Sequence, residues 1–327
     1  ANGDSITGLS QAFDSRNAGS RTLAVNGGYV INDGNGGNNY QVTTATAAGT
    51  INQAQLNLQA ASDTRVYDST TQSNQAVTAT GLFGTDQVTG LRQSFDSRNA
   101  GNRDLLVNGG YVVDDGNGGG NYTVVTHKAS GTIAKATLDL QAASDSRTYN
   151  GTNASNGTVG VSGLFGTDQV TGLNQSFDSR NAGARDLLVN AGYVVNDGNG
   201  GNNYVVSTNK ASGNIAQAKL DAVTGVGALN RAYNGLLGVD LDYSQARIVG
   251  TLFGADQVSV AHTGTGTMAN KRAGANKQVN IQGLGLSGAD AGNYELSDST
   301  AQTQVDIGKA SIGSVSGLKG IDRQVNG

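Results

Sequence analysis

Short runs of Val, Ile, Leu, Tyr and Thr alternate with clusters of Gly, Asn and Asp along the whole chain, and nothing in it resembles a long helix. The pattern predicts strands. In the best-preserved stretch an opening run, IAKATLDL at 133–140, leads to a turn at Tyr149, Asn150 and Gly151. There follow VGVSGLFGTDQV, the SFDSRNAG segment, DLLVNAGYVV, an Asn/Asp/Gly loop and NYVVST, before the next run of the opening type. This amounts to roughly six or seven short strands with turn signals every 8 to 14 residues or so, which favours a sandwich or a related compact β module.

The pattern is periodic on a longer scale. Residues 86–122 return almost letter for letter at 168–204, and an earlier copy occupies 4–40. Phe13, Phe95 and Phe177 are 82 residues apart (95 − 13 and 177 − 95), as are Tyr40, Tyr122 and Tyr204. A fourth, diverged copy closes with Asn293 and Tyr294, 90 residues after Tyr204 (294 − 204). A fixed long period means an array of like units. The expected organisation is a partial module at 1–53, modules at 54–135 and 136–217, a diverged module at 218–309, and the start of another at 310–327. The expected fold is all-β, a tandem array of small β-sandwich-like modules, Ig-like or β-grasp-like, forming an elongated rod. The alternative is a parallel β-helix, whose rungs would show a sub-period near roughly 20 residues; no such echo occurs within the 82.

The joints between units, at 51–58, 133–140, 215–222 and 307–314, are β-prone and have no linker character. The last strand of one unit is therefore expected to pass straight into the first of the next. Asp4 matches Asp86 and Asp168, which stand mid-unit, and RQVNG at 323–327 lines up with RAYNG at 231–235. That phase leads us to expect a polypeptide that continues in both directions.

Composition adds constraints. A unit of this size buries only roughly 60 to 65% of its unfolded surface, so its stability is marginal unless neighbours support one another. Cysteine and proline are absent, and there are 50 glycines. A net charge of −4 with both signs interspersed carries no electrostatic footprint for nucleic acid. No apolar run reaches membrane-spanning length, so membrane insertion is not expected. The opening ANGDSITG lacks a signal-peptide layout, which places any export signal outside these residues.

The diverged copy tests which conspicuous residues are core. Phe177 corresponds to Met268, and Tyr193 approximately to Leu284. A stacking platform for sugars or bases would not survive exchange for aliphatic side chains, whereas a volume-filling position would. Tyr149 and Tyr233, each followed by Asn and Gly, are expected to combine a buried ring with an outward hydroxyl at a hairpin turn.

The loops at 32–39, 114–121 and 196–203 place carboxylates and amide oxygens in a glycine-rich turn, a composition that suits calcium. They have neither the EF-hand spacing nor the β-roll nonapeptide, and a hairpin loop needing positive φ explains them equally well. The fourth copy has SGADAGN at 287–293, with Asp290 its only carboxylate. Asp96 with Arg98, and Asp178 with Arg180, stand two apart, which in a strand predicts a surface ion pair or an anion clamp. His127 and His262 lie at unrelated positions of different units, and Ala45 and Asn209 stand where His127 would recur. Neither nucleophilic catalysis nor a zinc site finds its residues, so no catalytic, cofactor or metal residues are expected.

The fourth copy reads RAYNG at 231–235, GTLFGADQVSV at 250–260, a long run from Met268 that ends in GADAGNYEL, and QVDIGKASI at 304–312. This string resembles the YDG repeat, and the other copies are similar with the loop exchanged; YDS at Tyr67 and YNG at Tyr149 hold the opening position. YDG repeats and the related MBG repeats occur in large bacterial surface adhesins. These include filamentous-haemagglutinin-like proteins exported by two-partner secretion and biofilm-matrix adhesins. The resemblance implies an extracellular stalk, secreted or at the cell surface, with no enzymatic activity. It also leaves open a repeated carbohydrate-binding module whose partner is an exopolysaccharide or other surface glycan, and self-association along strand edges.

Overall fold

The computed structural model describes residues 3–321 and 323–325; residues 1, 2, 322, 326 and 327, at the two ends of the expected array, lie outside the described residues. Among the described residues all regular structure is β, apart from one 3₁₀ turn at Ala291–Asn293. Residues 309–321 carry no strand and are exposed, so the strand expected at 307–314 ends at Gly308. The chain forms two compact units, residues 1–138 with 163–169 and 195–206, and residues 139–162 with 170–194 and 207–327.

In the first unit, the copy at 54–135 shows the design. Ala54–Gln59 lies between Tyr122–His127, to which it is parallel, and Thr78–Thr80, to which it is antiparallel. Its alternation is strict where it counts, with Leu56 and Leu58 fully buried and Gln55 and Gln59 exposed. A second sheet runs Gln93–Phe95, Gly101–Val107, Ala129–Ala134, Thr64–Val66, antiparallel except for the last, parallel pair. Gln87–Thr89 and Val112–Asp114 form a two-stranded ribbon whose Val88 and Val113 pack against Leu56 and Leu58. These are tandem sandwich-type β modules, not the rungs of a parallel helix.

The copy has nine strands rather than six or seven, because three-residue strands such as Thr78–Thr80 and Gln87–Thr89 are too short to show a period. Parallel pairing has a simple cause. The last two strands of the copy lie beside its first two and run the same way, and Lys135 alone separates Ala129–Ala134 from Ala136–Gln141. Gly131 sits under the aromatic of the second sheet, where a Cβ would approach the Phe95 ring and the Leu105 side chain to 2.8 Å.

In the second unit, a five-stranded sheet has the order Arg231–Ala232, Ala301–Gly308, Gly274–Gln282, Thr265–Met268, Gly238–Val239. Its core contains Val223, Met268, Val279, Ile281, Leu284 and Ile307. A second cluster joins Phe177, Leu187 and Ile215 to Tyr149, Ala218, Leu220 and Tyr294. Phe95, Phe177 and Met268 are all buried to 2% exposure or less, which makes the aromatic-to-aliphatic exchange a core substitution. Tyr111 is half-buried against the Leu56 and Leu58 cluster, and Leu284 is buried. Phe13 differs, at 39% exposure. The guanidinium of Arg65 lies 5.1 Å from the Phe95 ring and that of Arg147 5.3 Å from Phe177.

Candidate functional site

The recurrent Tyr-Asx-Gly opening has a separate physical reason at each position. The second residue makes an Asx turn: Asp68 Oδ1 accepts the Thr70 N–H at 2.8 Å, Asn150 Oδ1 that of Thr152 at 3.1 Å, and Asn234 Oδ1 that of Leu236 at 3.0 Å. The third residue takes positive φ, 79° at Gly151 and 83° at Gly235, and Ser69 takes 67° in the same place. An arginine two residues before the tyrosine locks the turn, with Arg65 donating to Asp68 Oδ1 at 2.7 Å and to the Thr70 carbonyl, and Arg147 donating to Asn150 and Thr152.

The tyrosine reaches into the following copy. In the first unit, the Tyr67 hydroxyl donates to Asp168 Oδ2 at 2.8 Å, and the Tyr204 hydroxyl donates to the same oxygen at 2.8 Å. Tyr204 in turn accepts the Phe165 N–H at 2.9 Å. Arg98 lies 3.6 Å from Asp168 Oδ1 and donates to the Asp197 carbonyl at 2.8 Å. The Tyr67 ring meets Tyr204 edge-on at 5.4 Å and Phe165 at 6.3 Å. The second unit repeats this arrangement. Tyr149 and Tyr294 donate to Asp256 Oδ2 at 2.7 and 2.6 Å, Arg180 donates to Asp256 Oδ1 at 2.7 Å, and Tyr149 meets Tyr294 and Phe253 edge-on. At a third instance Arg16 donates to Asp86 Oδ1 at 2.9 Å and Tyr122 to Asp86 Oδ2 at 2.7 Å.

The glycine-rich loops belong to the same clusters. Asp115 and Asp197 are each 1% exposed. Asp197 Oδ1 accepts the N–H groups of Asn199 and Gly201 at 2.7 and 2.8 Å, and Oδ2 accepts that of Asn203 at 2.9 Å; Asp115 does the same with Asn117, Gly119 and Asn121. Positive φ at Gly116, Gly118 and Gly119 aims these donors inward. The last loop asparagine then faces the preceding copy. Asn121 Oδ1 accepts the Ala18 N–H at 2.8 Å, Asn203 Oδ1 that of Ala100 at 2.9 Å, and Asn293 Oδ1 that of Ala182 at 2.8 Å. In the diverged loop Asp290 takes Arg180 on Oδ1 at 2.7 Å and the Gln257 N–H on Oδ2 at 2.8 Å.

The electrostatics follow from these contacts. At Asp256 burial opposes the charge, but the hydroxyls of Tyr294 and Tyr149 and the guanidinium of Arg180 outweigh it and hold the carboxyl below its ordinary value. The Tyr122 hydroxyl and Arg16 lower Asp86 likewise. At Asp197 and Asp115 burial is again opposed and outweighed, here by the loop N–H groups. Burial and the shared carboxylate push Tyr204 up to about 12 and raise Tyr67 and Tyr149 further.

Several expectations change. The Tyr149 hydroxyl points inward to Asp256 rather than outward, and Tyr149 follows a parallel strand rather than sitting in a hairpin. Tyr233 is 38% exposed. No ion pair joins Asp96 to Arg98 or Asp178 to Arg180 among the described residues; both arginines reach carboxylates of the following copy. His127 lies exposed beside Asn57, and His262 stacks on Tyr243 at 4.3 Å. In the sequence Asp86 and Asp168 serve only to mark the phase of the repeat, and neither they nor Asp256 stand out as members of a site. Their signal was available, since each keeps its place in the Phe-Gly-x-Asp string even where the loop is replaced.

A YDG domain family model matches residues 52–131, 134–211 and 217–303. The chain belongs to the YDG domain family. The YDG match indicates no enzyme family. No curated protein matches the chain. Among solved structures, it is similar to Drosophila N-cadherin EC1-4 at 11% identity and a TM-score of 0.26, covering 89% of this chain and 84% of that one. It is also similar to the three N-terminal domains of the bacteriophage RB49 Highly Immunogenic Outer Capsid protein, at 11% identity, a TM-score of 0.22 and coverage of 93% and 99%. With the N-terminal eight Ig domains of the Down Syndrome Cell Adhesion Molecule the identity is 9%, the TM-score 0.17 and the coverage 89% and 44%. The YDG signature is thus, in this chain, a set of residues that hold one copy to the next.

Proposed function

We propose that these tandem YDG repeats are the structural stalk of an extracellular bacterial adhesin, secreted or at the cell surface, which projects a distal element or bridges cells and matrix. The observation that carries this reading is the destination of the recurrent polar groups. Tyr67, Arg98 and Asp168, with Asn203 of the loop, bond to neighbouring repeats instead of lining an open site. The recurrent aromatics Phe95 and Phe177 are core, so no stacking platform faces solvent at those places. A repeat whose invariant chemistry is directed at its neighbours serves as a spacer. A glycan array probed with the whole chain, followed by titration of fragments of increasing repeat number, tests this. Absence of binding at every repeat number is expected, and exopolysaccharide binding whose avidity rises with repeat number would replace the stalk by a repeated binding module.

A further inference from the structure

We infer that the Tyr–Asp–Arg cluster is a docking site whose ligand is the opening tyrosine of the preceding repeat, and that it makes consecutive YDG repeats one cooperative folding unit. Two observations carry this. First, the buried carboxylate depends on both repeats. Asp168 is 7% exposed, and of the three groups around it Tyr204 belongs to its own repeat while Tyr67 and Arg98 come from the one before. Separating the repeats would strip that carboxylate of Tyr67 and Arg98 and leave it one hydroxyl donor. Second, in the second unit the apolar core does not stop at the boundary. Phe177, Leu187 and Ile215 share one cluster with Ala218, Leu220 and Tyr294 of the following repeat.

The arrangement survives replacement of the loop, because Asp290 supplies to Arg180 what the Asp197 carbonyl supplies to Arg98. Linear arrays gain cooperativity from such nearest-neighbour terms, which tie the unfolding of one repeat to that of the next.

The test is a double-mutant cycle in the full chain with Tyr67→Phe and Asp168→Asn, read by urea unfolding and by hydrogen exchange over residues 54–66. Each substitution is expected to raise the unfolding equilibrium constant, and the double variant to fall short of the product of the two by about tenfold. The single transition should split in the double variant, with early exchange at 64–66. Asp168→Asn should also make two tyrosines, Tyr67 and Tyr204, ionise earlier in an alkaline absorbance titration, with burial still holding both above the ordinary value. Effects that multiply within about twofold, with an unsplit transition, would overturn the inference. Should Asp168→Asn fail to fold, Arg98→Gln replaces it in the cycle with the same two outcomes.

Discussion

Ser69 is the residue at which this chain departs from its own signature. It holds φ at 67°, where the other copies have Gly151 and Gly235. A left-handed conformation costs a residue with a Cβ about 1–2 kcal/mol, and glycine escapes most of that. Ser69→Gly is therefore expected to stabilise the chain by about 1 kcal/mol, measured by urea unfolding, with the Asp68 turn unchanged. Gly131 is the opposite case. Its Cβ would lie 2.7 Å from the Asp63 carbonyl and 2.8 Å from Phe95, and neither backbone nor packed ring gives way easily. Gly131→Ala should destabilise by about 1–3 kcal/mol in the same measurement. Neither need is visible in one copy of the sequence, since a glycine under a ring and a glycine in a turn are the same letter.

At the scale of the element, the glycine-rich loop has a structural reason for its composition. Carboxylates and amides in a turn suggest a cation, but both oxygens of Asp197 are occupied by three backbone N–H donors. A cation at that carboxylate would face three inward-pointing N–H groups. A chelator is expected to leave the melting temperature unchanged, and added calcium to leave it unchanged as well. Asp197→Ala orphans those three N–H groups and should cost at least about 2 kcal/mol, read as a fall in the urea midpoint together with faster exchange at Asn199, Gly201 and Asn203. The strands themselves were more legible. Leu56 and Leu58 alternate with polar neighbours in a run whose side-chain period shows directly in the letters. Three-residue strands such as Gln87–Thr89 have no room for a period and are fixed only by their partners, here Val112–Asp114.

For the whole molecule, the inter-repeat clusters set the pH range of stability. Asp86, Asp197 and Asp256 have folded values below the ordinary 3.8. A carboxyl lowered on folding contributes stability that is present above its unfolded value and lost as pH falls through the folded one, so acid loss should begin only below about pH 4. Tyr67, Tyr149 and Tyr204 are raised from the ordinary 10.0, Tyr204 to about 12. Their contribution is complete below the unfolded value and disappears as pH rises through the folded one, so alkaline loss should set in at about pH 10 and still be incomplete at about pH 12. At Asp256 the groups facing the carboxylate are Arg180, Tyr149 and Tyr294, and at Asp168 they are Arg98, Tyr67 and Tyr204. Melting temperatures followed across pH, with tyrosinate absorbance at the alkaline end, check both limits.

The sequence by itself determined the period, the all-β class and the core character of Phe177 and Met268. Each of these is a local or repeated property: alternation along a strand, recurrence at a fixed step, or tolerance of an aliphatic replacement in another copy. Only the tertiary structure decided what Tyr67, Arg98 and Asp168 do. Tyr67 and Asp168 are 101 residues apart. No spacing rule links them, because their distance depends on how strands of one repeat pair and then turn the next repeat's Phe-Gly-x-Asp segment against the first. Repetition marked these residues as recurrent, and folding made them partners.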